Sequence, residues 1–348
     1  MVVIGGGTPD TTVKSYWDGE IQWFTPSEIG KNKYVDSSLR TITEVGLNNS
    51  SAKLLPPNTI LLSSRATIGE CSLSLRECAT NQGFQCLVSK KCNVDFLYYL
   101  IQTKKKDLIR KSCGSTFLEI SANEVRKIQV SVPSDVEQQK IAELLSLIDE
   151  RIATQNKIIE DLKKLKSAIS ERLFKGIEGS FVLLSDICDI VKGKQINGEN
   201  LSESGNYYVM NGGTEPSGYY GDYNVDANAI SISEGGNSCG YVQFNTSPFW
   251  SGGHCYSIQN IADNVNNLYL YHYLKSNEDV IMKLRIGSGL PNIQKKDLAM
   301  FKIKVPAIEQ QITISTFLSS LERKAEIEER IQNAMLKEKQ YLLHQMFI

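Results

Sequence analysis

A long stretch of interspersed charged and apolar residues occurs twice in this 348-residue chain and constrains its fold more than any other feature. A shift of 173 residues places Val132 on Val305. The match runs without a gap over residues 94–174 and 267–347, whereas the two upstream halves have similar lengths but different sequences. An internal repeat of this kind predicts two similar globular units, each followed by a similar long helix.

Apolar residues of the repeated stretch return every seven positions, which is typical of long paired helices. In the first copy they form two neighbouring rows, Ile141, Ile148, Leu162, Ile169 and Leu145, Ile152, Ile159, Leu173. The matching row of the second copy is Ile314, Leu321, Met335 and Leu342. A polar residue interrupts each row at its midpoint, Gln155 in the first and Glu328 in the second. Antiparallel packing with aligned centres predicts that the two side chains meet and fix the register of the helices. The alternative is that each side chain points to water.

The fold class predicted from these patterns is α+β. Each unit is mostly β with helices, and the two units are separated by two long helices. In the first unit, residues 59–63, 71–75, 84–88 and 128–132 are predicted as strands and residues 94–111 as one helix. The predicted division is 1–133 for the first unit, 134–176 for the first long helix, 177–305 for the second unit and 306–348 for the second long helix.

Composition gives only weak constraints on function. The formal net charge is −1 and the pI is 6.4, so no global basic excess indicates nucleic acid, which argues only weakly against DNA binding. Eight cysteines lack the spacing of a zinc site and suit buried, reduced thiols. No apolar run approaches the roughly 20 residues that span a membrane, and we expect a cytoplasmic protein without a membrane partner.

No recognised arrangement of catalytic or metal-binding residues emerges from the sequence. Gly5-Gly6-Gly7 lacks the spacing of a dinucleotide-binding loop and is predicted to be a turn. His254, His272 and His344 have no recognisable catalytic partners. Asp10 and Glu20 stand in the order of a metal-dependent nuclease, but the lysine that should follow is missing. We therefore predict no catalytic residues and no bound metal.

Binding is the remaining class of function. Basic clusters at 104–106 with 110–111, and at 295–296, lie near the helix of each repeat and could neutralise phosphates, although such clusters are often solvated surface. Two copies of one scaffold with different upstream sequences suit a reader of two different targets.

Short motifs along the whole chain resemble the specificity subunits of type I restriction-modification enzymes. In the first unit they are Ile4-Gly5-Gly6-Gly7-Thr8-Pro9, Tyr16-Trp17, residues 21–29, residues 64–69, Asn81-Gln82-Gly83-Phe84 and Gly114-Ser115-Thr116. Val132-Pro133 leading into residues 137–141 continues the match, and Gly287-Ser288-Gly289 with Glu309-Gln310-Gln311 repeats it. Each motif is weak by itself, but their order and repetition make the resemblance specific.

The resemblance implies two target-recognition domains that each read half of a split site in double-stranded DNA, separated by an antiparallel coiled coil. It implies no catalysis by this chain. Modification subunits would bind S-adenosylmethionine and methylate adenine, and restriction subunits would use ATP and Mg to translocate and cut DNA. One departure concerns residues 181–190, which open the second unit and have no counterpart in the first. Family members normally carry such a segment, so the first unit looks shortened at its N-terminus, which places its DNA binding in doubt.

Candidate DNA-binding residues follow from side-chain chemistry and from the loops on which they lie. They are Lys14, Thr25, Ser27, Arg40 and Arg65 in the first unit, and Lys194, Asn211, Asn237 and Ser238 in the second. Arg65 is the strongest candidate, with stabilisation of its own turn as an equal alternative. The alternative function is an assembly scaffold, or a half-active specificity subunit, that binds partner subunits without reading a full site.

Overall fold

A computed structural model describes residues 1–114, 118–287, 289 and 291–347. It divides into two compact units, Met1–Gln155 with Ile331–Ile348 (unit 1) and Asn156–Arg330 (unit 2). Ser115 and Thr116 of the first glycine motif, and Ser288 of the second, lie outside the described residues. Both units mix helix and sheet, as the α+β prediction requires.

Unit 1 is built on a five-stranded sheet in the order β1-β8-β5-β6-β3 and a three-stranded sheet in the order β4-β2-β7. The strands are β1 Val2–Gly5, β2 Trp17–Phe24, β3 Tyr34–Val35, β4 Arg40–Ile42, β5 Ile60–Leu62, β6 Cys71–Ser74, β7 Cys78–Thr80 and β8 Gln85–Val88. The predicted strands at 59–63, 71–75 and 84–88 are confirmed. Strand β5 is apolar throughout and fully buried, because it lies inside the larger sheet.

The helices of unit 1 pack on both of its sheets. They are α1 Glu44–Asn48, α2 Val94–Thr103, α3 Lys105–Arg110 and α4 Ala122–Arg126, followed by the long helix α5 Asp135–Gly176, which continues into unit 2. The prediction of one helix over 94–111 is wrong, because the chain breaks at Lys104 and starts again as α3. Leu108 is fully buried after the break, whereas Ile109 is exposed.

Unit 2 repeats this plan. Its strands are β9 Ser180–Leu183, β10 Asp189–Lys192, β11 Tyr207–Met210, β12 Tyr219–Tyr220, β13 Ala229–Ser233, β14 Val242–Asn245, β15 Trp250–Ser251, β16 Cys255–Gln259 and β17 Lys302–Val305. Its helices are α6 Leu184–Ile187, α7 Asn267–Ser276, α8 Glu278–Met282 and α9 Lys295–Ala299, followed by the long helix α10 Ile308–Met346, which continues into unit 1. A four-stranded sheet, β10-β16-β13-β14, forms its centre.

The internal repeat is confirmed at the level of helix boundaries. The helices α2, α3, α4 and α5 begin 173 residues before α7, α8, α9 and α10, respectively. One prediction fails within this frame: residues 128–132 do not form a strand, although their counterpart β17 does. The reason is the partner strand, because β17 pairs antiparallel with β9 in unit 2.

The long helices bury or partly bury the apolar rows that the sequence predicts. In unit 1, α5 places Leu145 in a core shared with Leu342 and Phe347, and Lys339 forms an ion pair of 2.5 Å with Asp149. In unit 2, Lys163 pairs with Glu329 and Lys166 with Glu322, each at 2.6 Å. Residue numbers rise along α5 as they fall along α10, so the helices run antiparallel there.

The two polar residues at the midpoints of the rows are not fully exposed to solvent. Gln155 is only 8% exposed, and Glu328 is half-buried. The prediction that the two side chains meet stays a prediction. Among the described helices, none combines the length and the apolar composition needed to cross a membrane.

Candidate nucleic-acid interface

Four loops of unit 2 converge beside the ends of its central sheet. The Oδ1 atom of Asn211 accepts a hydrogen bond of 3.1 Å from the His254 backbone N–H. The His254 carbonyl in turn accepts one of 2.9 Å from the Glu234 N–H. Lys194 joins the group because its N–H donates to the Ser251 carbonyl at 2.8 Å and its own carbonyl accepts from Trp250 Nε1 at 2.8 Å. The candidates Lys194 and Asn211 therefore belong to one loop cluster.

Close backbone approaches hold this cluster together. A Cβ atom at Gly193 would lie 2.2 Å from the Gly252 carbonyl oxygen, so only glycine fits there. Ser233 Oγ donates to the Gly212 carbonyl at 2.7 Å and ties the end of β13 to the loop after β11. Asn211 uses its side-chain oxygen inside the cluster and so helps to position the loops.

Glu234 is the residue of this cluster that the sequence analysis missed. It is 6% exposed, and its Oε1 atom lies 2.7 Å from Lys192 Nζ and 3.1 Å from the Tyr256 hydroxyl. The Oε2 atom lies 3.7 Å from His254 Nδ1. Burial, with the neighbouring Glu234 carboxylate as a further cause, raises the pKa of Tyr256. Lys192 and Tyr256 compensate the burial of the carboxylate, which would otherwise be costly. The sequence feature that could have indicated this residue is the position of the glutamate, directly between a predicted buried strand and a Gly-Gly pair.

Asn237 and Ser238 lie on the loop that follows Glu234. Gly236 has φ +77, a left-handed conformation that favours glycine, and its N–H donates to the Pro291 carbonyl at 3.0 Å. Asn237 is exposed and Ser238 is half-buried. The loop thus presents a polar side chain from an anchored backbone.

In unit 1, an arginine lies flat on a tryptophan. The Arg40 Cζ atom lies 3.5 Å from the centroid of the Trp17 ring, and Trp17 meets Trp23 edge to face at 5.1 Å. Trp23 Nε1 donates to the Gly7 carbonyl at 2.9 Å. Stacking orients the guanidinium and leaves its edge available, because Arg40 is exposed. Side-chain chemistry pointed to Arg40 and the Tyr16-Trp17 motif to Trp17, but only the structure brings the two side chains together.

Thr25 and Ser27 belong to a hydrogen-bonded turn beside this arginine. Thr25 donates from both N–H and Oγ1 to Glu28 Oε2 at 2.7 Å, and its Oγ1 lies 3.0 Å from Ser27 Oγ. The other Glu28 oxygen accepts from the Leu39 N–H at 2.6 Å, next to Arg40. Thr25 therefore has a structural role in capping the turn, whereas Ser27 is exposed. Lys14 is exposed in the short 3-10 turn Lys14–Tyr16, just before β2.

Arg65 forms an ion pair with Glu119, with 2.9 Å between Nε and Oε1. Its side chain is 44% exposed. The neighbouring Ser64 N–H donates to the Gly83 carbonyl at 2.8 Å, and a Cβ atom at Gly83 would lie 2.9 Å from Pro26. The Arg65 loop and the Thr25–Ser27 turn are thus linked through Gly83.

The basic clusters do not repeat in matching places. Helix α9, which carries Lys295 and Lys296, corresponds to α4 and not to α3. In unit 1, Lys105 pairs with Glu70 and Arg110 with Asp107. The expectation that the basic clusters lie at comparable places in the two repeats is therefore wrong.

Other residues considered from the sequence have local roles. A Cβ atom at Gly6 would lie 1.9 Å from the Asn81 carbonyl oxygen, so the glycine run serves a tight backbone approach. The Asp10 carboxylate accepts two hydrogen bonds from Thr12, which lower the pKa of Asp10.

All eight cysteines are free, and Cys113 is exposed, contrary to the expectation of uniformly buried thiols. Among the described residues, no group of three or more His, Cys, Asp or Glu side chains is placed to hold a metal ion.

The chain belongs to the family described as type I restriction modification DNA specificity domain, whose model matches residues 2–164 and 178–337. It is 38% identical over 181 residues to the type I restriction enzyme MjaIX specificity subunit of Methanocaldococcus jannaschii, covering 51% of this chain and 42% of that protein. It is 26% identical over 352 residues to the EcoprrI specificity subunit of Escherichia coli, covering 91% and 84%.

A solved structure has the same fold over nearly the whole chain. The S subunit of a type I restriction-modification system from M. genitalium matches with a TM-score of 0.67 and 19% identity, covering 95% of this chain and 94% of that one. The predicted fold class, two related domains with long helices, is confirmed.

Proposed function

We propose that this chain is the DNA sequence-recognition subunit of a type I restriction-modification complex and that each unit reads one half of a split DNA site. Membership of the specificity-domain family supports the proposal. The observation that carries it is the contrast within the chain: the two units share helices in a fixed 173-residue register, but they present loops of different chemistry. Unit 1 presents an arginine stacked on tryptophan, and unit 2 presents lysines around a buried glutamate.

The geometry suits recognition because a rigid frame holds exposed polar side chains. Lys14 and Lys194 can neutralise phosphates, which supplies affinity without sequence information. Arg40, Arg65 and Asn237 can donate to base edges in the major groove, which supplies specificity. Thr25, Asn211 and Glu234 hold the loops in place. Ser238 is a further hydrogen-bonding candidate on the Asn237 loop.

Partner subunits would carry the chemistry. We infer modification subunits that methylate adenine with S-adenosylmethionine, and restriction subunits that cleave DNA with ATP and Mg. We assign no catalytic step and no bound cofactor to this chain. Its candidate residues are loop cations, amides and hydroxyls that suit contacts with DNA.

The direct test is co-expression of the full chain with the modification subunit of its own genome, followed by mapping of methylated adenines. The expected result is methylation within a split motif that has two defined halves. Methylation governed by only one half would show that one unit does not read DNA. A stable complex with no methylation above background would favour an assembly scaffold and overturn the proposal.

Lys194→Ala tests the phosphate contact within the same complex. The substitution leaves both backbone hydrogen bonds of Lys194 in place, so the loop should keep its shape. The expected result is weaker DNA binding on all sequences and a salt-dependence slope reduced by about one. Lys175→Ala is the matched control, because Lys175 is an exposed unit 2 lysine on a helix. Equal slopes in both variants would remove Lys194 from the interface.

A further inference from the structure

A backbone frame holds the Glu234 carboxylate and the His254 ring side by side in unit 2. The Glu234 N–H donates to the His254 carbonyl at 2.9 Å, and the Glu234 carbonyl accepts from the Ile293 N–H at 2.8 Å. Strand β10 adds Lys192, which lies directly opposite Tyr256 of β16. The frame therefore brings together four polar side chains, called here the Glu234 site: Lys192, Glu234, His254 and Tyr256.

Unit 1 has the same backbone frame with different side chains. The Ser64 N–H donates to the Gly83 carbonyl at 2.8 Å, and the Ser64 carbonyl accepts from the Ile120 N–H at 3.0 Å. Ile120 lies 173 positions before the residue that bonds the Glu234 carbonyl, so the two sets of hydrogen bonds correspond. Ser64 therefore occupies the place of Glu234, and Gly83 occupies the place of His254.

The strand pair beside the frame differs in the same way. Gly5 of β1 lies opposite Gln85 of β8, where unit 2 has Lys192 opposite Tyr256. Each side chain of the Glu234 site thus has a counterpart of different chemistry in unit 1, and none of those counterparts is charged. Because the frame forms in unit 1 without these charges, the frame itself does not require them. The Glu234 site is therefore available for a function that belongs to unit 2 alone.

One oxygen of the buried carboxylate is left without a hydrogen bond. Glu234 Oε1 accepts from Lys192 Nζ at 2.7 Å and from the Tyr256 hydroxyl at 3.1 Å, whereas Oε2 is buried and has no hydrogen-bond partner. A buried oxygen in this state is unfavourable. His254 Nδ1 lies 3.7 Å from it, on a side chain that is 64% exposed. A small rotation of this exposed ring would bring the two atoms within hydrogen-bond distance.

We propose that His254 is a specificity-determining residue of unit 2 and that Glu234 is the positioning residue that orients it, an inference that rests on the proposed function. Lys192 already offsets the carboxylate charge, so the imidazole can act as a neutral ring. When its Nδ1–H donates to Glu234 Oε2, its Nε2 atom presents a lone pair. This acceptor suits the exocyclic amino group of adenine or cytosine in the major groove.

The test uses the complex of the full chain with the modification subunit and duplexes that contain the mapped split motif. Each adenine is replaced in turn by purine, and each cytosine by pyrimidin-2-one, which removes only the exocyclic amino group. Every base pair contains one of these two bases, so the scan covers both halves of the motif. Competition binding followed by fluorescence anisotropy measures the effect of each replacement.

For wild type, one replacement should weaken binding about fivefold beyond its effect on His254→Ala, as expected for one hydrogen bond. His254→Ala should bind the unmodified duplex about fivefold more weakly. Comparison of the two proteins on the same duplexes removes any effect of the analogue on base pairing. His344→Ala is the matched control, because His344 is an exposed histidine on α10, and it should keep the full wild-type response.

Glu234→Ser tests the positioning role, because serine is the residue that the same frame carries in unit 1. The variant keeps His254 but leaves its ring without the carboxylate, so the response to the critical analogue should fall at least twofold. A lower melting temperature with the full analogue response would show that Glu234 is only structural and would overturn its positioning role.

Two further outcomes separate this inference from the proposed function. A complex that reads both halves of the motif, with equal responses of wild type and His254→Ala to every analogue, would overturn the role of His254 and leave the proposed function intact. A complex that binds DNA without any sequence preference would overturn both.

Discussion

The Arg65 guanidinium has two candidate roles: contact with a base, and stabilisation of its own turn through the 2.9 Å ion pair with Glu119. Substituting each partner of the ion pair in turn separates the two roles. Arg65→Ala should reduce discrimination at one half-site by about tenfold, as expected for loss of a base contact worth about 1–3 kcal/mol. Glu119→Ala removes the ion pair but keeps the arginine, so it should preserve sequence preference. The measurement is methylation of substrates that vary at each base of the mapped motif. Equal loss of stability in both variants, without a change in preference, would reduce Arg65 to a turn residue.

His272 should make the stability of unit 2 depend on pH. It is 3% exposed, its Nε2 atom lies 2.9 Å from Ser319 Oγ, and burial lowers its pKa from 6.5 to about 4. The unfolded chain therefore binds the proton more readily. The free energy of unfolding is therefore highest above pH 6.5, where His272 is neutral in both states. It falls as the pH drops from 6.5 to 4 and changes little below pH 4. The total is on the order of 3 kcal/mol.

The measurement for His272 is denaturant unfolding of wild type and His272→Asn at pH 7, 5.5 and 4. The variant should lose less free energy of unfolding over this range than wild type does. His344→Asn is the control, because His344 is exposed on α10. Parallel pH profiles for wild type and His272→Asn would contradict the assignment.

Residue types in loops could be selected from the sequence, but their partners could not. Side-chain chemistry pointed to Arg40 and Lys194. The stacking of Arg40 on Trp17 joins residues on two paired strands, and the burial of Glu234 depends on Lys192 and Tyr256. Such contacts depend on tertiary folding that no local pattern encodes.

At the scale of the elements, hydrogen bonds of a buried glutamine hold the start of each long helix in place. Gln138 Oε1 accepts from the Asn93 N–H at 3.0 Å, and Gln311 Oε1 accepts from the Asn266 N–H at 2.8 Å. Asn93 and Asn266 cap the first turns of α2 and α7. Both glutamines also donate through Nε2 to the backbone just before their own helix. Gln138 and Gln311 correspond under the 173-residue shift, so one glutamine of each Glu-Gln-Gln motif has a structural explanation, the second residue of the first motif and the third residue of the second.

Gln311→Leu should therefore destabilise the junction of α7 and α10. It leaves the Asn266 N–H and two carbonyls without their partner in a buried place, at an expected cost of about 2–4 kcal/mol. Hydrogen exchange in α7 and denaturant unfolding of the full chain measure this cost. Gln310→Leu is the neighbouring control and should change little, because Gln310 is exposed. An equal effect of both substitutions would argue against the fastening role.

The elements show where a periodic sequence predicts structure and where it does not. The 173-residue repeat places each matched pair of helix starts at corresponding residues, because a helix depends mainly on local sequence and on its own apolar face. Residues 128–132 have the alternation of a strand, but a strand also needs a neighbour with which to pair, and β9 supplies one only in unit 2. The break at Lys104 has no strong local signal, because lysine favours helix.

At the scale of the whole molecule, the two units should read their half-sites independently, since each loop set is anchored within its own unit. Arg65→Ala in unit 1 should relax one half of the methylated motif, and Asn237→Ala in unit 2 should relax the other. The double variant should relax both halves, with free-energy changes that add to within about 0.5 kcal/mol. Methylation rates on substrates altered in one half at a time measure each term. If Asn237→Ala changed the preference in the half assigned to Arg65, one unit alone would be reading DNA, and the proposal of two separate readers would fail.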